Sequence, residues 1–298
     1  MHAMTHALLL SLLLSSPVAT AEPSDPAAGL AERLQALDEG SGGQPLAQRI
    51  KHLRAVYVSD ARVAALDRQP YDQCGTAADG DLEDLFAATG QLNFLAREPA
   101  LLQRMTCLFQ RLKQSGTDRA QAARDLYGAL IAQRQFAAAN VLRQREALKV
   151  DALPVVSGER TAGLQVLQLQ DALHARLAEL PRNGTRVIAL VHPYCGFSMQ
   201  ALAAIADDPT LAWLRPQLQV VVPSDSTWPI TRMLKWNAAH PDLPMQPMQP
   251  GAAWTPLLTG LTPTFHVLRD GELRASATGW ADEGAAVRKL RSLLEEGR

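Results

Sequence analysis

The chain has 298 residues, of which 47% are hydrophobic and 20% charged, and its formal net charge is −1. That balance gives no electrostatic reason to expect nucleic acid or an acidic membrane surface as a partner. Beyond the N-terminus no apolar run approaches the roughly twenty residues needed to span a bilayer, and the length suits one large domain or two smaller ones.

Residues 1–21 read as a secretory signal peptide. The stretch 7–16 is almost wholly Leu, Ala and Ser, and Ala19-Thr20-Ala21 supplies a small-residue cleavage pattern. The expected cut follows Ala21, so that the mature chain begins at Glu22 in a bacterial periplasm with no stable membrane anchor. Residues 22–44, rich in Ala, Gly, Ser, Pro and acidic side chains, predict a flexible leader in which 29–37 could form a short helix. From 45 to 150 apolar residues recur at three and four. Leu101, Met105, Leu108, Phe109 and Leu112 make one stripe, and Leu126, Tyr127, Leu130 and Ile131 another. This predicts an all-α N-terminal domain, with 135–148 returning antiparallel and the stretch 126–147 loosely similar to one tetratricopeptide unit. Residues 151–162 read as a linker.

The rest, 163–298, alternates. Helix is expected over 164–180, strand over 185–192, helix over 199–207, strand over 218–222 and helix over 227–239. Two strands, 265–269 and 273–278, follow around the turn pair Asp270-Gly271, then a last helix over 282–296. Such an order predicts an α/β domain, a mixed central sheet with helices on both faces.

The chemistry gathers at Cys195, in Val191-His192-Pro193-Tyr194-Cys195-Gly196-Phe197-Ser198, where an apolar strand gives way to a helix. A thiol there meets the unpaired N–H groups and positive dipole end of the helix, which favour thiolate. His192 could lower the thiol pKa when protonated, or simply be packed or solvated. Tyr194 and Phe197 flank the thiol and could shape an apolar substrate surface or cover the end of the sheet. The other two cysteines, Cys74 and Cys107, are most often a structural disulfide in an oxidising compartment. A sharper possibility is that one of them resolves Cys195 across domains; as metal ligands they lack any His or Cys at ligand spacing. Met245 and Met248, in Met-Gln-Pro-Met-Gln-Pro, could offer thioethers to Cu(I), or lie in a proline-fixed loop. Trp228, Trp236 and Trp254 could line a peptide groove or pack in the core. Asn183-Gly184-Thr185 fits a glycosylation acceptor pattern, or a turn. Neither a Gly-rich phosphate loop, a His-Glu-x-x-His helix nor a Gly-x-Ser-x-Gly elbow occurs, so hydrolase and nucleotide chemistry have no support, and neither cofactor nor metal is expected.

Over about residues 163–298 the sequence resembles the thioredoxin superfamily. The resemblance rests on the strand-to-helix Cys195-Gly196-Phe197-Ser198, on Gly260-Leu261-Thr262-Pro263-Thr264-Phe265 leading into a strand, and on the hairpin and terminal helix beyond. It implies that Pro263 is a cis-proline facing the thiol, helping with Thr262 to position a partner's backbone. Thr262 before the proline is similar to periplasmic disulfide isomerases and conjugation-associated thioredoxin-like proteins. The four residues from Cys195 to Ser198 share the letters of monothiol glutaredoxins. Gly196, Phe197 and Ser198 would present helix-end donors to the thiolate. Because Ser198 stands where a second cysteine would resolve the mixed disulfide, a self-contained two-cysteine cycle is excluded. What remains is monothiol thiol–disulfide exchange, with protein thiols, protein disulfides or glutathione as substrates and the helical domain docking a partner. The competing expectation is a catalytically inactive accessory module of an envelope or conjugation-type assembly.

Overall fold

A computed structural model of the chain describes residues 28–116, 119–281, 285, 287, 288, 290 and 291. The signal peptide expected over 1–21 and the first residues of the leader lie outside these, as does most of the last expected helix. The five described residues from 285 to 291 are helical.

The N-terminal part is helical: α1 (Leu30–Gly40), α2 (Leu46–Ser59), α3 (Ala61–Leu66), α4 (Leu82–Ala96), α5 (Pro99–Ser115), α6 (Ala120–Ala132) and α7 (Phe136–Arg145). Start and stop signals are local in places. Pro99 opens α5, where its missing N–H costs nothing, and Gly116 closes it with φ 79°. Asp60 caps α3 by accepting from the Arg62 N–H. The stripe Leu101, Met105, Leu108, Phe109 and Leu112 is buried in one core with Leu126, Ile131 and Leu142 from the α6–α7 pair.

The leader is not flexible from Leu30 onward. Leu30 and Leu34 of α1 are fully buried in the helical core, and the α1 start is capped by a different helix. Asp84 of α4 accepts from the Leu30 and Ala31 N–H groups, each at 2.9 Å, and also from Arg62 at 2.8 Å. A Cβ at Gly29 would come within 2.7 Å of that carboxylate, so glycine clears the approach. No local residue announces this cap, so composition alone read the segment as mobile.

Residues 151–180 depart further from expectation. Instead of a linker and a helix they form β1 (Val155–Ser157), β2 (Gln165–Leu169) and β3 (His174–Glu179), a small sheet in the order β1-β3-β2. Leu, Ala and Gln at 164–180 suit a helix intrinsically, yet Asp171 breaks it. Its Oδ1 accepts from the Leu173 and His174 N–H groups at 2.7 and 2.8 Å, a side-chain turn that reverses the chain. Burial then overrides propensity. Leu167 and Ala175 enter the helical core, whereas Val166 and Leu180 enter the core of the second domain.

The second domain is built on β4 (Thr185–Leu190), α8 (Gly196–Asp207), β5 (Leu218–Val222), α9 (Ile230–Ala239), β6 (Met245–Pro247), β7 (Thr264–Arg269) and β8 (Glu272–Thr278). Its sheet has the order β6-β5-β4-β7-β8, with β4, β5 and β6 parallel and β7 antiparallel to both neighbours. A strand-helix-strand unit, a second helix, then a hairpin placed beside the first strand is the thioredoxin-like fold, here with β6 added at one edge. Among the described residues α-helices cover one face, and a 3₁₀ helix at Ala252–Leu257 with the small sheet covers the other. Val187 and Ala189 point to α8, α9, Val287 and Leu290. Ile188 and Leu190 point the other way, to Trp254, Leu257 and Met248 and to the small sheet's Val166 and Leu180. The alternation along β4 therefore separates two layers of different construction.

Candidate functional site

The parallel strands deliver their C-terminal ends to one rim, where ligands of open α/β sheets are usually met. After β4 the chain runs through His192-Pro193-Tyr194 to Cys195, which occupies the N-cap of α8 with extended backbone (φ −84°, ψ 115°). Cys195 is a free, partly exposed thiol. Across from it lies the Thr262–Pro263 peptide, which is cis, directly before β7. The neutral thiol donates to the Thr262 carbonyl at 3.4 Å. Pro263 itself is buried, and its carbonyl accepts from the Gly279 N–H at 2.8 Å, tying the loop to the end of β8.

The Cys195 thiol sits below its ordinary pKa. Burial is the largest single influence and raises it; the Ser198 hydroxyl and N–H, the Thr262 hydroxyl and the Phe197 N–H together outweigh burial. The carbonyl contact favours the neutral form, but the donors around the sulfur favour the anion. Ser198 is placed for this by a second bond. It is 0% exposed, and its Oγ accepts from the His192 N–H at 3.2 Å. With that lone pair occupied by a backbone donor, the hydroxyl proton is free for the thiolate. The N–H groups of Phe197 and Ser198 lie in the first turn of α8, where the helix dipole adds to their effect.

His192 does not touch the sulfur through its ring. Its Nδ1 accepts from the Tyr194 N–H at 3.3 Å, which places the ring proton on Nε2. That nitrogen faces Asp225 Oδ2 at 2.8 Å, off the line of a straight hydrogen bond. Asp225 follows β5 and is held below the usual carboxylate range: burial would raise it, and His192 with the Thr227 hydroxyl and N–H outweighs that. The pair braces the turn leading to Cys195. Asp225 escaped the sequence reading. Its only signal was position, in a Pro-Ser-Asp segment just beyond a strand at the rim that carries Cys195.

Around the thiol the surface is apolar and open. Tyr194 is 56% exposed, Phe197 62% and Leu261 60%. Arg232 of α9 fixes Tyr194 with its guanidinium 4.5 Å from the ring centroid and its Nη1 donating to the Pro193 carbonyl at 3.1 Å. Gly196 lies exposed between the aromatic flanks, with nothing within 4 Å of where a Cβ would stand.

Other candidate residues separate from this rim. Cys74 and Cys107 form a disulfide in the helical domain, with Cα atoms 6.0 Å apart, so paired they hold no thiol to resolve Cys195. The Met-Gln-Pro segment is a strand rather than a loop. Met245 is buried in the helix-covered layer and Met248 in the opposite one, which keeps their sulfurs from sharing one Cu(I). Trp236 and Trp254 are core residues, and Trp228 packs partly buried where the helical core meets the second domain. Gly184, with φ 74°, makes Asn183-Gly184-Thr185 a turn into β4. Among the described residues no cluster of His, Cys, Asp and Glu is placed to hold a metal ion, and no helix is long and apolar enough to cross a membrane.

No family model matches the chain, and none of the curated proteins matches it. Among solved structures, a crystal structure of a thioredoxin-like protein from Bacteroides caccae aligns with 96% of this chain and 100% of its own, at 11% identity and a TM-score of 0.28. At that level of likeness, the fold is identified by the chain's own strand order.

Proposed function

We propose that the protein is an exported monothiol thiol–disulfide exchange protein with Cys195 as its nucleophile. The observation that carries the reading is a free thiol, lowered in pKa by Ser198, Thr262 and Phe197, inside an open apolar rim of Tyr194, Phe197 and Leu261. The Cys195 thiolate attacks one sulfur of a substrate disulfide. A bond forms from Cys195 Sγ to that sulfur, the substrate S–S bond breaks, and the other sulfur leaves as thiolate. Ser198 offers no second sulfur, so the thiolate of an external thiol such as glutathione attacks the substrate-derived sulfur of the mixed disulfide. A new S–S bond forms to that sulfur while the bond to Cys195 breaks, and Cys195 leaves as thiolate. Pro263 and Thr262 line the substrate chain opposite the thiol, and Gly196 leaves room for close approach. Signal cleavage after Ala21 would deliver the protein to the periplasm, where N-terminal sequencing of the mature chain should begin at Glu22.

The reading is tested with a glutathionylated peptide and reduced glutathione, following peptide thiol release. Saturable turnover that vanishes in Cys195→Ser supports it. Turnover no faster than the buffer rate, with Cys195 still open to alkylation, contradicts it. The exposed aromatic rim also favours a second reading, a thioredoxin-like accessory module that binds protein segments without exchange. Partner capture that survives Cys195→Ser but is lost in Phe197→Ser would identify that case.

A further inference from the structure

A cavity of about 470 Å³ lies where the helical domain meets the second domain, with Arg97, Gln133, Arg160, Ser224, Trp254 and Thr255 in its walls. Its side-chain polar lining is rich in donors. The one carboxylate there, Glu98, is already paired with Arg54.

Two arginines converge on this junction from the ends of helices. Arg97 closes α4 with φ 51°, and Arg134 follows α6 with φ 54°. A residue with a Cβ in the left-handed region costs on the order of 1 kcal/mol, so glycine would be the cheaper terminator at both places. Their side chains account for the choice. Arg134 is 5% exposed and donates only to neutral carbonyls, those of Met248 at 3.1 Å and Ile131 at 3.2 Å, beneath the Trp228 ring at 5.0 Å. Arg97 donates to the fully buried Ser224 hydroxyl at 3.3 Å. The Arg97 Nε and the Gln249 Nε2 are both buried with no acceptor.

The charges do not balance. Asp225 is the carboxylate that bears on both guanidiniums, and it is already committed to His192 at 2.8 Å. Buried charges are ordinarily paired, and a buried donor without an acceptor is costly. Burial accordingly holds both arginines below their usual range, Arg134 at about 9. Two cations against one shared carboxylate, beside a cavity whose mostly apolar wall carries the donors of Arg97, Arg160, Ser224 and Thr255, need an acceptor from outside. We propose that this cavity binds a small oxyanion, a carboxylate or phosphate group, between Arg97, Arg160, Ser224 and Thr255. Guanidinium forks and hydroxyls are the donors suited to both.

The test reads anion binding directly and needs no thiol–disulfide turnover. The mature protein is titrated with inorganic phosphate and, separately, citrate at constant ionic strength, following melting temperature and heat of binding. The proposal predicts a saturable response to at least one anion, weakened about tenfold by Arg97→Gln or by Arg160→Gln, the equivalent of one charge-assisted hydrogen bond. Response to phosphate alone assigns a phosphate group, and to citrate alone a carboxylate. Should Arg97→Gln fail to fold, the exposed Arg160 decides. No saturable response overturns the proposal, as does one unchanged in every variant that folds, which would mean an adventitious ion only.

Discussion

The helical domain and the thiol rim use the same side chain in opposite ways. Cys74 is 2% exposed and joined to Cys107. Around the pair, Arg111 donates to the Cys74 and Gly75 carbonyls, each at 3.2 Å, and buried Arg104 donates to the Gln73 carbonyl at 3.1 Å. Both arginines fix backbone beside the disulfide. At Cys195 the neighbours are donors aimed at sulfur, and the walls are aromatic surfaces left in solvent. The contrast teaches that a cysteine's role is set by what faces its Sγ. One region closes a loop; the other keeps a thiolate available.

The largest expected effect separates the two regions outright. Cys195→Ser should abolish thiol–disulfide exchange while shifting unfolding free energy by no more than about 0.5 kcal/mol, since the site is partly exposed. Urea unfolding and a turnover assay check both halves. Replacing Cys74 and Cys107 together by Ala should do the reverse. Opening a loop of 33 residues' separation costs roughly 3–4 kcal/mol by the chain-entropy relation, with the alkylation profile of Cys195 unchanged. A shifted profile would show that the two regions are coupled. Ser198→Ala sharpens the comparison within the rim. It removes a donor to the thiolate and leaves the His192 N–H without its acceptor, so reactivity at neutral pH should fall about three- to tenfold, with about 1–3 kcal/mol of stability lost. The alkylation rate and a denaturant curve measure these.

The smallest effect is an acid one, confined to the helical domain. Asp60 is held below its usual range, first by its hydrogen bond from Arg62. Asp84 is also lowered: burial, its largest influence, would raise it, but the Ala31 and Leu30 N–H groups and Arg62 outweigh that. Both folded pKa values are depressed, so the stabilisation is complete above the unfolded value of about 3.9 and lost as pH falls through the folded values. Urea midpoints between pH 5 and 2 should decline less steeply in Asp84→Asn than in the parent.

Much of this was legible where sequence signals are local. Leu218–Val222 is a strand as its apolar run suggests, and Asp270-Gly271 turns the hairpin as the pair demands, with both residues at positive φ. The strand-to-helix junction at Cys195 was legible for the same reason, whereas Pro263 opposite the thiol was an implication of the resemblance to the thioredoxin superfamily. What failed depended on partners distant in sequence. The cap on α1 comes from Asp84, more than fifty positions away. Residues 164–180 carry helix formers, but Asp171 and burial against two cores make them strands. Asp225 and the junction arginines are unremarkable letters until the fold brings them to His192 and Ser224.

The pH profile of Cys195 alkylation in the mature protein, with the Cys74–Cys107 disulfide intact and the label located by mass spectrometry, tests most directly whether this thiol is activated. The surrounding donors predict a midpoint clearly below about 8.5, the value of an unperturbed thiol. A midpoint at or above that value would contradict the account and leave the rim as a binding surface.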